Sequence, residues 1–182
     1  MQQRLTEHTL AVAQIGGLQA QAQLLLAADG LGPRALRRWA EGLGLAAARQ
    51  GRGNLGCRMQ RQLRQAFDAG AEQVVLIGSD LPGLEATDIT AAFAQLGQWP
   101  LVLGPAGDGG YWLLGLSRSG FRRAGSRLMA GIAWGQSSVL SQTLQAAQSC
   151  GLPADLLRLQ DDLDGLDDLR PWTGTGGFPW RP

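Results

Sequence analysis

The chain contains no lysine, because all sixteen of its basic residues are arginine. Lysine forms Schiff bases and commonly binds phosphate as a point charge, so lysine-based chemistry of either kind is excluded. Histidine is nearly absent too: His8 is the one example, and it lies in an amphipathic helical segment far from the acidic motifs. That position favours a packing role over general-base chemistry. A catalytic base, if the protein has one, is therefore expected to be a carboxylate.

Cysteines and long apolar runs are also scarce. Cys57 and Cys150 lie far apart and belong to no CxxC or Cys/His cluster, which argues against a zinc site and a disulfide framework. The first residues contain no apolar core of a signal peptide, and no later apolar run is long enough to span a bilayer. A formal net charge of +1 gives no electrostatic reason to expect a nucleic acid partner. These absences predict a cytoplasmic protein with reduced thiols and no membrane span.

What the chain does contain is a regular alternation of short apolar runs and helical segments. The patterns predict helices at 4–14, 33–42, 57–69, 86–97 and 137–149, and strands at 22–29, 43–50, 73–79, 99–105, 111–117 and 155–159. Strands separated by helices predict an α/β fold, with a mostly parallel sheet flanked by helices. Ligands bind such sheets at the carboxyl ends of the strands.

The length and composition predict one domain followed by a short tail. A chain of 182 residues with 45% hydrophobic residues can bury a single core, which we assign to residues 1–170. Residues 171–182 (PWTGTGGFPWRP) are rich in proline, glycine and tryptophan and match neither a helical nor a strand pattern. We expect this irregular tail to pack over a groove of its own domain or of a second subunit in a homodimer.

The segment VVLIGSDLPGLEATDI (74–89) places a carboxylate at the end of an apolar strand. In one interpretation Asp80 caps the following helix, for which Thr87 and Asp88 are also available as caps. In the other, Asp80 points into a crevice and is a hard oxygen ligand for Mg²⁺ or Mn²⁺ carrying a diphosphate. Ser79 and Pro82, in the same turn, are then candidate substrate-binding residues.

A second acidic segment, QDDLDGLDDL (160–169), follows another apolar strand. Composition alone favours a solvated acidic turn before a short helix. Asp162 and Asp164 nevertheless alternate directly after the strand, so they are the candidates to share one divalent ion with Asp80.

The loop in LGPAGDGGYWLLGL (103–116) is the third candidate feature. Gly109 and Gly110 beside Asp108 allow the loop either to wrap a ligand or simply to turn a hairpin. The aromatic side chains after the loop, Tyr111 and Trp112, should alternate between crevice and core, and Trp134 offers another flat surface for a sugar or a base. Asp108 is the candidate catalytic base and Tyr111, Gly109, Gly110 and Trp134 are candidate substrate-binding residues.

Five segments in this order resemble a bacterial family of GT-A-like proteins: GRGNLGCRM (51–59), VVLIGSDLPGL (74–84), LGPAGDGGYWLLGL (103–116), IAWGQSSVLSQTL (132–144) and DDLDGLDDL (161–169). Members are usually described as glycosyltransferases, sometimes of arsenosugar biosynthesis. The family is similar in fold to nucleotide-diphospho-sugar transferases and, more distantly, to molybdenum cofactor guanylyltransferase and 2-phospho-L-lactate guanylyltransferase. The resemblance implies that Asp80 binds metal and diphosphate, that Asp162 or Asp164 belongs to a second acidic motif, and that residues 108–111 line the acceptor side.

The chain departs from that family in two places. It begins with what resembles the helix after the first strand, so the usual first strand and nucleotide loop are expected to be missing, through a misplaced start, truncation or degeneration. Asn54 also stands where an acidic residue is common.

Three functions follow from the resemblance. Without a lysine or the basic loop that would hold a triphosphate, transfer from a nucleotide-diphospho-sugar to a small-molecule acceptor is favoured over nucleotidyl transfer. A degenerate, non-catalytic protein is the third possibility.

Overall fold

The computed structural model describes residues 2–160, which form six helices, one 3-10 helix and six strands. The α-helices are Gln2–Gln19 (α1), Pro33–Gly42 (α2), Leu55–Asp68 (α3), Ala86–Leu96 (α4), Arg118–Ala124 (α5) and Val139–Ser149 (α6), and the 3-10 helix is Gly125–Met129. The strands are Leu25–Ala28 (β1), Ala46–Arg49 (β2), Gln73–Ile77 (β3), Leu101–Pro105 (β4), Tyr111–Ser117 (β5) and Ala154–Leu156 (β6).

The strands form two separate sheets. β1 and β2 pair in parallel as a two-stranded sheet, and the other four strands pair in the order β3-β5-β4-β6. In the larger sheet β4 and β6 are parallel, whereas β5 runs antiparallel to both of its neighbours because a short hairpin joins it to β4. The predicted α/β class with sheets flanked by helices is confirmed, and the insertion of β5 makes the larger sheet mixed.

Both faces of the larger sheet are covered by helices. Side chains of β4 point alternately to the two faces of the sheet. Leu101 and Leu103 pack in one core with residues of α3, α6 and the 3-10 helix. Val102 packs in a second core with Ile89 and Leu96 of α4. Each of these three strand residues is fully buried. A smaller third cluster, formed by Leu10, Leu26, Leu36 and Ala40, joins α1, β1 and α2. The small sheet is therefore attached through α1 and α2.

A buried carboxylate joins α4 to the far edge of the sheet. Asp88, which is only 6% exposed, accepts hydrogen bonds at 2.7 Å from Nε and Nη2 of Arg158, one on each oxygen. Its Oδ2 also accepts from the side chain of Gln160 at 3.2 Å and from the backbone N–H of Glu85 at 2.9 Å. Arg158 in turn donates to the carbonyl of Gly83, and the hydrogen bond with Asp88 raises the pKa of its guanidinium. Glu85 is the N-cap of α4 and forms a capping box with Asp88, the third residue of the helix, so of the three residues considered as caps Asp88 takes part, whereas Asp80 and Thr87 do not.

Helix α1 packs on α4 and on the loop that follows β3. Gly16 permits the close approach, because a Cβ there would lie 2.7 Å from Cβ of Ile89. Thr9 is buried and its hydroxyl accepts a hydrogen bond from the N–H of Leu81 at 3.2 Å. His8 bonds the backbone of Pro82, so the expectation that it lies far from the acidic motif was wrong. Sequence separation had hidden this contact, which α1 makes by folding back over the sheet.

Within residues 2–160, no helix combines the length and apolarity that crossing a membrane requires.

The Arg158–Asp88 contact predicts a clear loss of stability when the cation is removed. Arg158→Gln leaves a buried carboxylate without its charge partner, which costs about 3–5 kcal/mol in a buried pair. Because the Arg158 side chain is 47% exposed, we expect about 2 kcal/mol, measured by urea unfolding. Arg122→Gln, on an exposed position of α5, is the matched control and should change the free energy of unfolding by less than about 0.5 kcal/mol. Equal changes in the free energy of unfolding for the two substitutions would contradict the conclusion that Arg158 stabilises the buried carboxylate of Asp88.

His8 predicts a pH dependence of stability. Burial lowers the pKa of its imidazole below the ordinary value of 6.5, while the hydrogen bond to Pro82 opposes the shift. The unfolded chain therefore takes up this proton at a higher pH than the folded one, so the stability is complete above pH 6.5 and declines as pH falls through the lowered folded pKa. Urea unfolding between about pH 8 and pH 5 should show a shallower decline for His8→Gln than for the parent chain. The same pH dependence of stability in the two chains would show that His8 does not cause the decline.

Candidate functional site

A large cleft lies between the two sheets. Its volume is about 1010 Å³. Helices α1, α2 and α3 line it, together with β1, the following residue Asp29, and the ends of β3 and β5. Most of the lining is apolar, including Leu10, Leu26, Met59 and Trp39. Such a concave, largely apolar space with a few polar groups is the usual form of a small-molecule site.

The carboxyl ends of the strands meet at one end of this cleft. The register of β3 with β5 ends with Ile77 opposite Leu113, and Ser79 and Tyr111, each two residues beyond that pair, both line the cleft. Trp134 connects this point to α3, since its ring contacts Tyr111 edge to face at 6.4 Å between centroids and lies against Gly56. A Cβ on Gly56 would be 2.8 Å from the indole ring, so glycine is needed there. We call this end of the cleft, formed by Asp29, Gln50, Arg58, Ser79 and Tyr111, the rim.

Asp80 follows the carboxyl end of β3 as predicted and is exposed to solvent. Within residues 2–160 its carboxylate has neither a hydrogen bond nor an ion pair, so it stabilises neither the turn nor the start of α4. The neighbouring Ser79 lines the cleft, whereas Asp80 and the half-buried Pro82 lie just outside its lining. The carboxylate is thus available beside the rim.

The hairpin loop between β4 and β5 is held by its own contacts. Asp108 is exposed, and its Oδ1 accepts a hydrogen bond from the N–H of Gly110 at 2.7 Å. Gly109 has a φ of +84°, and its carbonyl accepts a hydrogen bond from the N–H of Leu140. A Cβ on Gly109 would collide with the backbone carbonyl of Ser137, so a larger residue does not fit. Packing against the start of α6 therefore explains this glycine without a ligand. Asp108, Gly109, Gly110 and Trp134 stand outside the cleft lining.

Tyr111 is the aromatic side chain that joins the cleft to the core. Burial raises the pKa of its hydroxyl to about 12, and the hydroxyl of the fully buried Thr143 on α6 opposes the shift. The phenol is thus a neutral donor at physiological pH. Trp112, next along β5, is 5% exposed and belongs to the second core, as the predicted alternation requires.

Three polar side chains in the cleft were missed from the sequence. Arg58 donates from Nη1 to the side chain of Gln50 at 3.2 Å, and its buried Nε has no partner within residues 2–160. Gln62 lies one helical turn further along α3 and is 7% exposed. Its side-chain amide donates a hydrogen bond to the carbonyl of Arg49. Its Oε1 is buried and accepts no hydrogen bond from residues 2–160. The i, i+4 spacing of Arg58 and Gln62 was the available signal, because such residues share one helix face.

Asn54, where the resemblance expects an acid, has a structural role. It is the N-cap of α3, and its Oδ1 accepts from the N–H of Cys57 at 3.0 Å. Asparagine and aspartate cap helices about equally well, so the local fold does not need the charge.

The predicted metal site falls only partly within the described residues. Asp162 and Asp164, with the whole tail 171–182, lie outside residues 2–160. In that range no group of three or more His, Cys, Asp or Glu side chains is arranged to hold a metal ion. Of the three predicted metal ligands, Asp80 is the one within the described residues, and it is an exposed carboxylate of the kind that Mg²⁺ and Mn²⁺ bind.

Comparison with solved structures places the chain among proteins of this architecture. A protein from Desulfovibrio desulfuricans G20, described as a "putative nucleotide-diphospho-sugar transferase", superposes with a TM-score of 0.78 and is 30% identical over 91% of this chain and 71% of that one. Rv0371c from Mycobacterium tuberculosis H37Rv superposes with a TM-score of 0.53 at 19% identity, covering 90% of this chain and 82% of its own. Its complex with manganese gives the same TM-score and identity, covering 88% and 83%. The two Rv0371c structures are similar in fold alone.

Sequence comparison gives the family. No curated protein is significantly similar to the chain. A family profile described as "Uncharacterized protein conserved in bacteria (DUF2064)" matches residues 12–136, a range that contains β1 to β5 and the loops around Asp80 and Asp108. Because that match covers well over half of the 182 residues, the protein belongs to this bacterial family.

Proposed function

We propose that the protein is a glycosyltransferase that uses a nucleotide-diphospho-sugar donor, a divalent metal ion and a small-molecule acceptor. The observation that carries the proposal is the uncommitted carboxylate of Asp80 at the carboxyl end of β3, beside the rim of a cleft of about 1010 Å³. The 30% identity with the Desulfovibrio desulfuricans protein supports a transferase role.

The polar groups of the rim suit a donor that carries a diphosphate. Arg58 is the cation of the cleft lining, and its side chain is half-buried, where a charge-assisted hydrogen bond to phosphate is stronger than in water. Gln50 accepts from that guanidinium and so orients it. The ring of Tyr111, whose hydroxyl is buried in the core near Thr143, offers a flat surface in the lining of the cleft.

The metal would be held by Asp80 together with Asp162 or Asp164. A bound divalent ion would neutralise the diphosphate that leaves when the glycosyl bond breaks. Hard oxygen ligands are the right donor type for Mg²⁺ or Mn²⁺, and an exposed Asp80 can reach an ion without losing an existing contact. Among the solved structures of similar fold, that of Rv0371c contains manganese.

Asp108 would accept the proton of the attacking acceptor hydroxyl. Its Oδ1 is fixed by the N–H of Gly110, whereas its Oδ2 makes no hydrogen bond within residues 2–160 and is exposed. A carboxylate held by one oxygen and free at the other is oriented for proton transfer. With Gly109 and Gly110 it would form the acceptor side.

Nucleotidyl transfer, as in the guanylyltransferases, is the alternative reaction. It would require a triphosphate, and the described cleft lining contains one arginine for that greater charge. A degenerate protein that binds no nucleotide is the remaining alternative.

Calorimetric titration with UDP-glucose, UDP-N-acetylglucosamine and GDP-mannose, each with and without Mn²⁺, tests the proposal. At least one donor should bind more tightly with Mn²⁺, and Asp80→Asn should abolish that enhancement because the amide no longer neutralises the cation. Arg58→Gln should weaken binding about tenfold or more, since a charge-assisted hydrogen bond contributes about 1.5–3 kcal/mol. Asp68→Asn and Arg64→Gln, at exposed positions of α3, are matched controls that should change neither quantity.

Three results would contradict the proposal. GTP binding with Mn²⁺ in preference to all three sugar nucleotides would favour nucleotidyl transfer. Absence of binding by every nucleotide would favour the degenerate protein. Mn²⁺-dependent binding that survives Asp80→Asn would remove this carboxylate from the site.

A further inference from the structure

Gln160 is a buried polar residue that directly precedes the second acidic segment. It is 8% exposed, whereas the preceding Leu159 is 58% exposed. This is the reverse of the usual partition, in which leucine is buried and glutamine is exposed. A buried amide needs hydrogen bonds inside the protein, so the contacts of Gln160 show what holds it there.

The backbone of Gln160 is bonded to the hairpin that carries Asp108. Its N–H donates to the carbonyl of Pro105 at 3.1 Å, and its carbonyl accepts from the N–H of Gly107, also at 3.1 Å. These two bonds form an isolated parallel bridge with Ala106, beyond the end of β6. Gln160 therefore rejoins the sheet at the carboxyl end of β4.

The side chain of Gln160 is bonded on the side of the Asp80 loop. Its Nε2 donates to Oδ2 of Asp88 at 3.2 Å, the same oxygen that accepts from Nη2 of Arg158. Its Oε1 lies beside Gly83, since a Cβ added to that glycine would be 3.6 Å away. Gly83 follows Asp80 by three residues in the same loop. One buried residue thus contacts the loops of both candidate carboxylates.

Chain length limits how far the predicted metal ligands can lie from this residue. Asp162 and Asp164 follow Gln160 by two and four residues. A fully extended chain advances at most about 3.6 Å per residue, so their Cα atoms lie within about 7 and 14 Å of the Cα of Gln160. By the same arithmetic the Cα of Asp80 lies within about 11 Å of the Cα of Gly83. Both sides of the proposed metal site are therefore tethered to the position of Gln160.

We propose that Gln160 is a positioning residue for the metal ion. It anchors the chain so that Asp162 or Asp164 meets Asp80 at one ion. This role rests on the proposed function, because the ion is the one that would neutralise the donor diphosphate. The anchor raises the effective concentration of the second carboxylate beside the first, so less of the binding free energy of the ion is lost in ordering the chain.

The anchor is needed because carboxylates that share a site repel each other when no cation is bound. A chain free to move would separate them, and the ion would have to bring them together again. The hydrogen bond from Gln160 to Asp88 opposes this separation. Asp88 is itself held by two hydrogen bonds from Arg158 and one from the N–H of Glu85.

Titration of the full chain with Mn²⁺, followed by the electron paramagnetic resonance signal of the free ion, tests the proposal without a nucleotide. Gln160→Met keeps an unbranched side chain of similar length but cannot donate to Asp88. It should weaken Mn²⁺ binding about tenfold, as the loss of a residue that supports a metal ligand commonly does. Gln148→Met, at an exposed position of α6, is the matched control and should change the affinity by less than about twofold. In the Asp80→Asn chain, Gln160→Met should have no further effect, because the shared site is already lost.

A reversed pair separates positioning from a general loss of stability. Gln160→Glu alone sets two carboxylates against each other and should weaken Mn²⁺ binding as Gln160→Met does. Adding Asp88→Asn restores a hydrogen bond between an amide and a carboxylate, with the original net charge. The double variant should therefore recover to within about threefold of the parent affinity. If lost stability were the cause, a second substitution in the buried pair should bring no recovery.

Hydrogen exchange reports on the anchor itself. In Gln160→Met the amide of Gly107, which donates to the carbonyl of Gln160, should exchange about tenfold faster. The amide of Ala106 donates to Gly110 within the hairpin and is the internal reference, so its exchange should not change.

Three results would overturn the proposal: no Mn²⁺ binding by the parent chain, an affinity that Gln160→Met leaves unchanged, or a loss that the reversed pair does not recover. Failure of the proposed function gives a different pattern. In that case Mn²⁺ binds and depends on Gln160, but no nucleotide sugar binds. Conversely, donor binding that needs Asp80 but is the same in Gln160→Met would leave the transferase intact and remove the positioning role.

Discussion

The buried carboxylate of Asp88 is the contact on which the arrangement of the larger sheet and its loops depends. A carboxylate that is 6% exposed is stable only if its charge and its lone pairs are satisfied. Arg158 and Gln160 meet that requirement from the segment after β6, and the N–H of Glu85 meets it from the start of α4. The requirement therefore connects the last described strand to the helix that follows the Asp80 loop.

The position of the candidate site follows from this connection. Arg158 also binds the carbonyl of Gly83, so the loop that carries Asp80 is held from the far edge of the sheet, while Thr9 of α1 holds it at Leu81 from the other side. Asp80 itself takes part in neither contact and remains exposed. A loop held on both sides of a free carboxylate suits a metal ion, because the position of the ligand is set before binding.

The aromatic and glycine residues of the site have mixed roles. Trp134 packs on Gly56 and Tyr111, and Gly109 packs against Ser137, so these contacts account for the residue types without a ligand. Their effect on function is indirect: they keep the start of α3, with Arg58, beside the end of β3, with Ser79. The same pairing gives the cleft its rim.

Much of the fold was predictable from local pattern. The proline and glycine that bound α2, the apolar run of β3 and the Asp-Gly turn before β5 each specify their element by short-range chemistry, and the structure agrees. The cap of α4 was not predictable in the same way. Glu85 and Asp88 cap the helix together, and the carboxylate of Asp88 also binds Arg158, 70 residues further along the chain, which no local pattern indicates.

The sequence by itself determined the α/β class, the order of the six strands and the presence of a carboxylate after β3, because each depends on residues close together along the chain, whereas α5 and the 3-10 helix were not predicted. Only the tertiary structure decided that His8 lies beside Pro82, that Arg58 and Ser79 share a cleft, and that β1 and β3 end in separate sheets with unpaired edges. These are contacts between residues far apart in sequence. They depend on how helices pack over the sheet, and no local pattern encodes that packing.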